Sequence, residues 1–227
     1  MKSEEFELLL LACHEIADQF PDGLIFIGGI AVYLHAVNNQ LSELADFTHD
    51  ADFYISLADM GDLRDIEEVT PNRRLSKHQL IKRGFEFDIY TERQSSLIVP
   101  YAEIARESVS YERFRVASLG HLLALKLEAF RDRVNSSKGD KDAADIYRIA
   151  MVAKTTGFDA QLAAPYLGDE HMALLDRIRR GPFAVAMAHG NAHLAKSYRA
   201  AVEAMSDAVA RTMKAGSQRK AKGVVAS

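Results

Sequence analysis

The spacing of apolar positions changes along the chain, and the change divides it. Phe6, Leu9, Leu10, Cys13, Ile16 and Ala17 recur at the helical period, one buried face of a first helix. Ser3 can cap that helix, and Glu4 and Glu5 suit the positive end of its dipole. Pro21-Asp22-Gly23 is a turn. Leu24-Ile25-Phe26-Ile27 is an unbroken apolar run of buried-strand length, and Gly28-Gly29 opens a helix to about Val37. Residues 38–47 read as a polar loop and 50–56 as a second strand. Two further strands flank Arg83-Gly84, one near 74–81 and one over 85–90. The latter alternates Phe85, Phe87 and Ile89 with Glu86, Asp88 and Tyr90, which puts Asp88 on a polar face. Residues 111–116 are one more strand.

From Ser118 onward the period is helical. Leu119, Leu122, Leu123, Leu125, Leu127 and Phe130 dominate a helix to about Arg133. A polar break follows at 134–138, then a second helix over 140–153. The remainder predicts two or three more helices, punctuated by Pro165 and Gly181-Pro182. The expected organisation is α+β: a small mixed sheet with flanking helices over 1–117, a helical domain over 118–213, and a disordered basic tail over 214–227.

Composition narrows the class. The chain has 227 residues and 48% hydrophobic content, enough for a large core. No apolar run approaches the ~20 residues of a membrane span, and nothing reads as a signal peptide, so a cytoplasmic protein without a membrane partner is expected. The single cysteine, Cys13, excludes an internal disulfide and a cysteine-rich zinc site. Net charge is −4, which argues against a generic nucleic-acid binder. Yet Arg211, Lys214, Arg219, Lys220 and Lys222 make the end basic, either a solvated terminus or an RNA-contacting one.

The chemistry-bearing residues sit in the first half. Asp50-Ala51-Asp52 lies on a strand, so the two carboxylates project together. Such a pair suits Mg²⁺, which takes oxygen ligands and leaves room for substrate phosphates. Asp88 adds a third carboxylate on another strand. Three converging carboxylates repel unless a cation or a proton joins them. Gly28 and Gly29 would let a phosphate approach the unpaired amides of a helix N-terminus. Each feature has a plainer reading: glycines for tight packing, strand-end aspartates as solvated charges. His189 and His193 stand four apart on an expected helix, but the metalloprotease glutamate is missing, so they read as a solvated or packed pair.

The glycine pair, the Asp-x-Asp strand and the lone strand aspartate resemble the nucleotidyltransferases of the DNA polymerase β superfamily. The stretch from Val116 to Arg133, with Lys126 in its Leu-Lys helix, is similar to the branch holding the nucleotidyltransferase toxins of type IV toxin–antitoxin (abortive-infection) systems. So is Lys138-x-x-Lys141-Asp142-x-x-Asp145-Ile146. The similarity spans roughly residues 24–150. It implies a magnesium-dependent enzyme moving a nucleoside monophosphate from an NTP to a hydroxyl of RNA or tRNA, protein or a small molecule. It also implies a toxin role with an antitoxin protein as partner. Asp50, Asp52 and Asp88 would hold metal and carry catalysis, while Gly28, Gly29, Lys126, Lys141, Asp142 and Asp145 would bind the nucleotide. Two departures stand out. The Gly29–Asp50 interval is longer than usual by about ten residues, and Gly29 replaces the usual serine. The alternative is a non-catalytic nucleotide- or partner-binding module on the same fold. Without the resemblance, Lys126 reads as a snorkelling lysine and the Lys141–Asp145 segment as surface helix pairing.

Overall fold

The computed structural model describes residues 3–93 and 97–224, with side chains to residue 218. The chain divides into two compact units, 1–118 and 119–227.

The first unit is a seven-stranded mixed sheet with helices. In chain order it runs α1 (Ser3–Gln19), β1 (Leu24–Ile27), α2 (Gly28–Asn38), β2 (Asp50–Ile55), α3 (Leu57–Ile66), β3 (Val69–Asn72), β4 (Lys77–Lys82), β5 (Phe85–Thr91), α4 (Tyr101–Arg106), β6 (Val109–Tyr111) and β7 (Phe114–Val116). The strand order is β3-β4-β5-β2-β1-β7-β6. β2 pairs parallel with β5, and β1 parallel with β7; the other pairings are antiparallel.

Strand alternation gives the sheet two unlike faces. On one, Phe26, Phe53 and Phe87 are fully buried, with ring centroids 6.0 and 6.3 Å apart across β1, β2 and β5. Phe114 extends this row to β7, where His14 of α1 packs on it at 4.2 Å. Cys13 on the same helix is fully buried, and burial pushes its thiol pKa up, so it packs as an apolar side chain. The other face changes along its strands. At one end Tyr54 packs against Tyr90 and Tyr101 and donates to the carbonyl of Val99 (3.0 Å). At the other end the same face carries Asp50, Asp52 and Asp88.

Several elements depart from the sequence reading, which had no counterpart of α4 or β6. α3 buries only Met60 and Leu63, too thin a stripe to show as periodicity; Ser56 caps it, accepting from the Asp59 amide (3.1 Å). β3 carries Pro71, which lacks an amide to donate, and it lies at the sheet edge, where that loss is tolerated. Residues 111–116 form the turn and inner strand of a hairpin, reversed at Glu112 (φ 51).

The second unit is helical: α5 (Leu119–Arg133), α6 (Ser137–Thr156), α7 (Asp169–Arg180), α8 (Phe183–Met187) and α9 (Ala192–Val224). Ser136 caps α6 through the Gly139 amide (3.2 Å), which sets its start ahead of the expected residue 140. His189 sits in a left-handed turn (φ 47) between α8 and α9, so it does not share a helix with His193. Residues 214–224, expected to be disordered, continue α9; 225–227 lie outside the described residues. No described helix is long and apolar enough to cross a membrane.

Candidate active site

Parallel pairing of β2 with β5 puts Asp52 in register with Asp88, and Asp50 with Glu86. Register partners share a face, and Asp50 and Asp52 share it by alternation. All three aspartates are partly exposed. Ile27 is in register with Asp52 on the opposite side, and the chain turns from it directly into α2. The first turn of α2 therefore begins beside Asp52.

Gly28 is what permits this contact. Its φ is +67, a region glycine enters without penalty. A Cβ there would stand 2.2 Å from Asp52 Oδ2, far inside contact distance. At Gly29 a Cβ would stand 3.1 Å from Thr48 Oγ1. Thr48 is buried and donates to Asp50 Oδ1 (2.8 Å), fixing that carboxylate. The N-cap residue of α2, Ile27, gives no side-chain cap, and the first turn holds no acid. Within the long Gly29–Asp50 interval, Leu44 is buried and the partly exposed Phe47 stacks on Phe6 of α1 at 4.6 Å.

Gly28→Ala is expected to destabilise the unit by more than a left-handed alanine alone costs, about 1–2 kcal/mol. Gly84→Ala is the control: its φ is +82, but nothing lies within 4 Å of its added methyl. Thermal melting compares the two. Equal losses would mean that Asp52 yields freely and that Gly28 is conformational only.

Asp88 differs from the other two. Its Oδ2 is ion-paired to Lys77 Nζ, with side chains 14% and 11% exposed, and its Oδ1 accepts from Gln79 Nε2 (3.3 Å). Gln79 also donates to Glu86, and Asn72 of β3 donates to Gln79 Oε1 (3.2 Å). In the order β4-β5-β2, Asp88 is thus engaged on the side away from Asp52. The expected convergence of three carboxylates on one metal is not what the side chains show. Among the described residues, no three or more His, Cys, Asp or Glu side chains are gathered to hold a metal ion. Asp50 and Asp52 share a face beside Gly28 and are the carboxylates that would hold a cation; Asp88 is held by Lys77 instead. Lys77 escaped the sequence reading. Its signal was the antiparallel hairpin around Arg83-Gly84, which brings β4 side chains alongside Asp88.

Nearby, the buried His35 donates from Nε2 to the Ala117 carbonyl (2.8 Å) and accepts at Nδ1 from Tyr111 Oη (2.9 Å), which itself accepts from Asn39 (3.1 Å). Burial lowers its pKa, so the ring is a neutral structural tie between α2 and the β6–β7 end.

In the second unit, Lys126, Asp142 and Asp145 come together. Lys126 Nζ is 2.6 Å from Asp145 Oδ2 and 3.4 Å from Asp142 Oδ1. Arg133 Nε reaches Asp142 Oδ2 (2.9 Å), and Arg148 Nη1 reaches Asp145 Oδ1 (2.9 Å). These pairings account for both carboxylates, even where an oxygen lies off the line of a hydrogen bond. Lys126 does not snorkel; it is 8% exposed and committed to two buried acids. Lys141 is half-buried on the same helix, α6.

No protein-family model matches the chain, and no curated protein matches it. Solved structures do. A candidate nucleotidyltransferase of H. pylori aligns over 94% of this chain and 98% of its own, with TM-score 0.50 and 13% identity. JHP933 from Helicobacter pylori aligns over all of both chains, with TM-score 0.49 and 14% identity. An antigenic nucleotidyltransferase-like protein from Paracoccidioides brasiliensis aligns over 84% of this chain and 94% of its own, with TM-score 0.47 and 13% identity. The first of these likenesses shows a shared fold.

Proposed function

We propose that this chain, which has the fold of the H. pylori candidate nucleotidyltransferase, moves a nucleoside monophosphate from an NTP to a hydroxyl acceptor. The observation that carries the reading is the Asp50–Asp52 pair set against the glycine-opened N-terminus of α2, where Ile27 gives no side-chain cap. The amides of that first turn suit the triphosphate, because they lie at the positive end of the helix dipole. Bringing a triphosphate beside two carboxylates is unfavourable unless a cation lies between them. Asp50 and Asp52 would hold Mg²⁺, which when bound neutralises the phosphate charge and polarises the phosphoryl oxygens. Thr48 keeps Asp50 oriented, and Gly28 keeps the approach to Asp52 clear. The acceptor oxygen bonds to the α-phosphorus as the bond to the bridging α–β oxygen breaks, and pyrophosphate leaves. Asp88 Oδ1 is the nearby base for the acceptor's proton, held in place by Lys77 and Gln79.

In the second unit, Lys126 and Arg133 pair with Asp142, and Lys126 and Arg148 pair with Asp145. Lys126, with Lys141 on the helix that carries both acids, is read as a nucleotide-phosphate group, the role the family resemblance implies. The acceptor class is RNA or tRNA, protein or a small molecule. A toxin role with an antitoxin partner would appear as growth arrest on expression, abolished by Asp52→Asn.

Incubation with each α-labelled NTP, Mg²⁺ and total RNA or cell protein is expected to label an acceptor. The second reading, a nucleotide-binding module without catalysis, is favoured by the Lys77–Asp88 ion pair. NTP binding by calorimetry, with no labelled acceptor for any NTP, would establish it instead.

A further inference from the structure

The pairing of Asp88 with β4 rather than with β2 bears on how many cations the site takes. Both oxygens of Asp88 are engaged by β4 side chains, Oδ2 by the Lys77 ammonium and Oδ1 by the Gln79 amide. The Lys77 and Asp88 side chains are mostly buried, so this pair is less screened by water than a surface pair. Gln79 is itself fixed from both sides, by Asn72 of β3 and Glu86 of β5. Lys77 is thus part of a cross-strand ladder on one face of β3, β4 and β5, not a loose surface lysine. Three carboxylates on one face need positive charge, and a lysine supplies it here without a metal. Asp50 accepts from the Thr48 hydroxyl, and Asp52 Oδ2 lies against the Gly28 backbone.

We infer that Lys77 is a built-in counter-cation that keeps Asp88 off the metal, so that the site takes one divalent cation, at Asp50 and Asp52, rather than two. Lys77 is a positioning residue: it acts through Asp88, holding that carboxylate on the β4 side of the face. This rests on reading the aspartate face as a nucleotidyl-transfer site.

The test counts metal ions directly. Mn²⁺ is titrated into the full chain without nucleotide, and free Mn²⁺ is followed by its electron paramagnetic resonance signal. The wild type is expected to bind one Mn²⁺. Asp88→Asn should change that affinity less than twofold, and Asp50→Asn should weaken it at least tenfold. Lys77→Met, with Lys77→Gln as a second variant should the first fold poorly, should gain a second site or bind at least tenfold tighter. That gain should vanish in Lys77→Met/Asp88→Asn. Two sites in the wild type, a tenfold loss in Asp88→Asn alone, or unchanged binding in both Lys77 variants overturns the inference. Failure of the underlying reading looks different: no Mn²⁺ bound by any variant, or binding indifferent to Asp50→Asn, would remove the metal site itself and the inference with it.

Discussion

Asp52→Asn is expected to lower nucleotide transfer by about 10²–10³-fold or more, the scale on which a single preorganised charge contributes to a transition state. Asparagine keeps the shape, so the close fit against Gly28 survives while the charge is lost. Asp52 shares a face with Asp50 and, one strand over, with Asp88, so removing its charge relieves repulsion. The metal-free variant and wild type give the baseline against which protection by Mg²⁺ is read. Mg²⁺ should separate them. A cation that binds only the folded state at about 100 times its Kd stabilises by about 2.7 kcal/mol, and the variant should lose most of that protection. Activity and melting with and without Mg²⁺ are measured on the same preparations. Equal protection of both proteins, or retained transfer, would remove Asp52 from the site.

The sequence carried the Asp-x-Asp strand because its alternation is local: residues two apart share a face whatever the strand pairs with. It also carried the turn from β1 into α2, since an apolar run ending in Gly28-Gly29 has few other conformations. The hairpin around Arg83-Gly84 was legible and sets β4 beside β5, but its register puts Gln79, not Lys77, opposite Asp88; that the diagonal Lys77 would take the ion pair is a matter of side-chain placement. α3 and β3 escaped for opposite reasons. α3 buries too few apolar residues to show a period, and β3 contains a proline that argues against a central strand without excluding an edge. Lys126 was singled out as a charge in an apolar run, but whether such a lysine reaches water or a buried acid depends on the helix packed against it. Here that helix is α6, which presents Asp142 and Asp145 one turn apart.

Lys126→Met is expected to be the most destabilising single change in the second unit. It would leave two carboxylates, their side chains 3% and 4% exposed, short of their shared cation. Breaking a buried pair from one side typically costs about 3–5 kcal/mol. The deficit should depend on pH. In the wild type, burial holds the Asp142 pKa above the ordinary aspartate range, against the opposing pull of Lys126 and Arg133. A raised folded pKa means that the fold favours the protonated acid. Its contribution is full below the ordinary range and is lost as pH rises through the folded value. Removing Lys126 takes away one opposing charge, raises that value further and widens the window. The variant's deficit should thus be largest near neutral pH and shrink on acidification toward the ordinary aspartate range. Melting both proteins at several pH values tests the sign. Lys126→Met/Asp145→Asn, which removes one charge of each sign, should recover part of the loss. Titration with a non-hydrolysable NTP on the same proteins separates the two roles of the lysine. A small, pH-independent loss of stability with a large loss of affinity would mean that Lys126 serves the phosphates more than the fold. A large, pH-dependent loss with affinity retained would make the cluster a structural ion network.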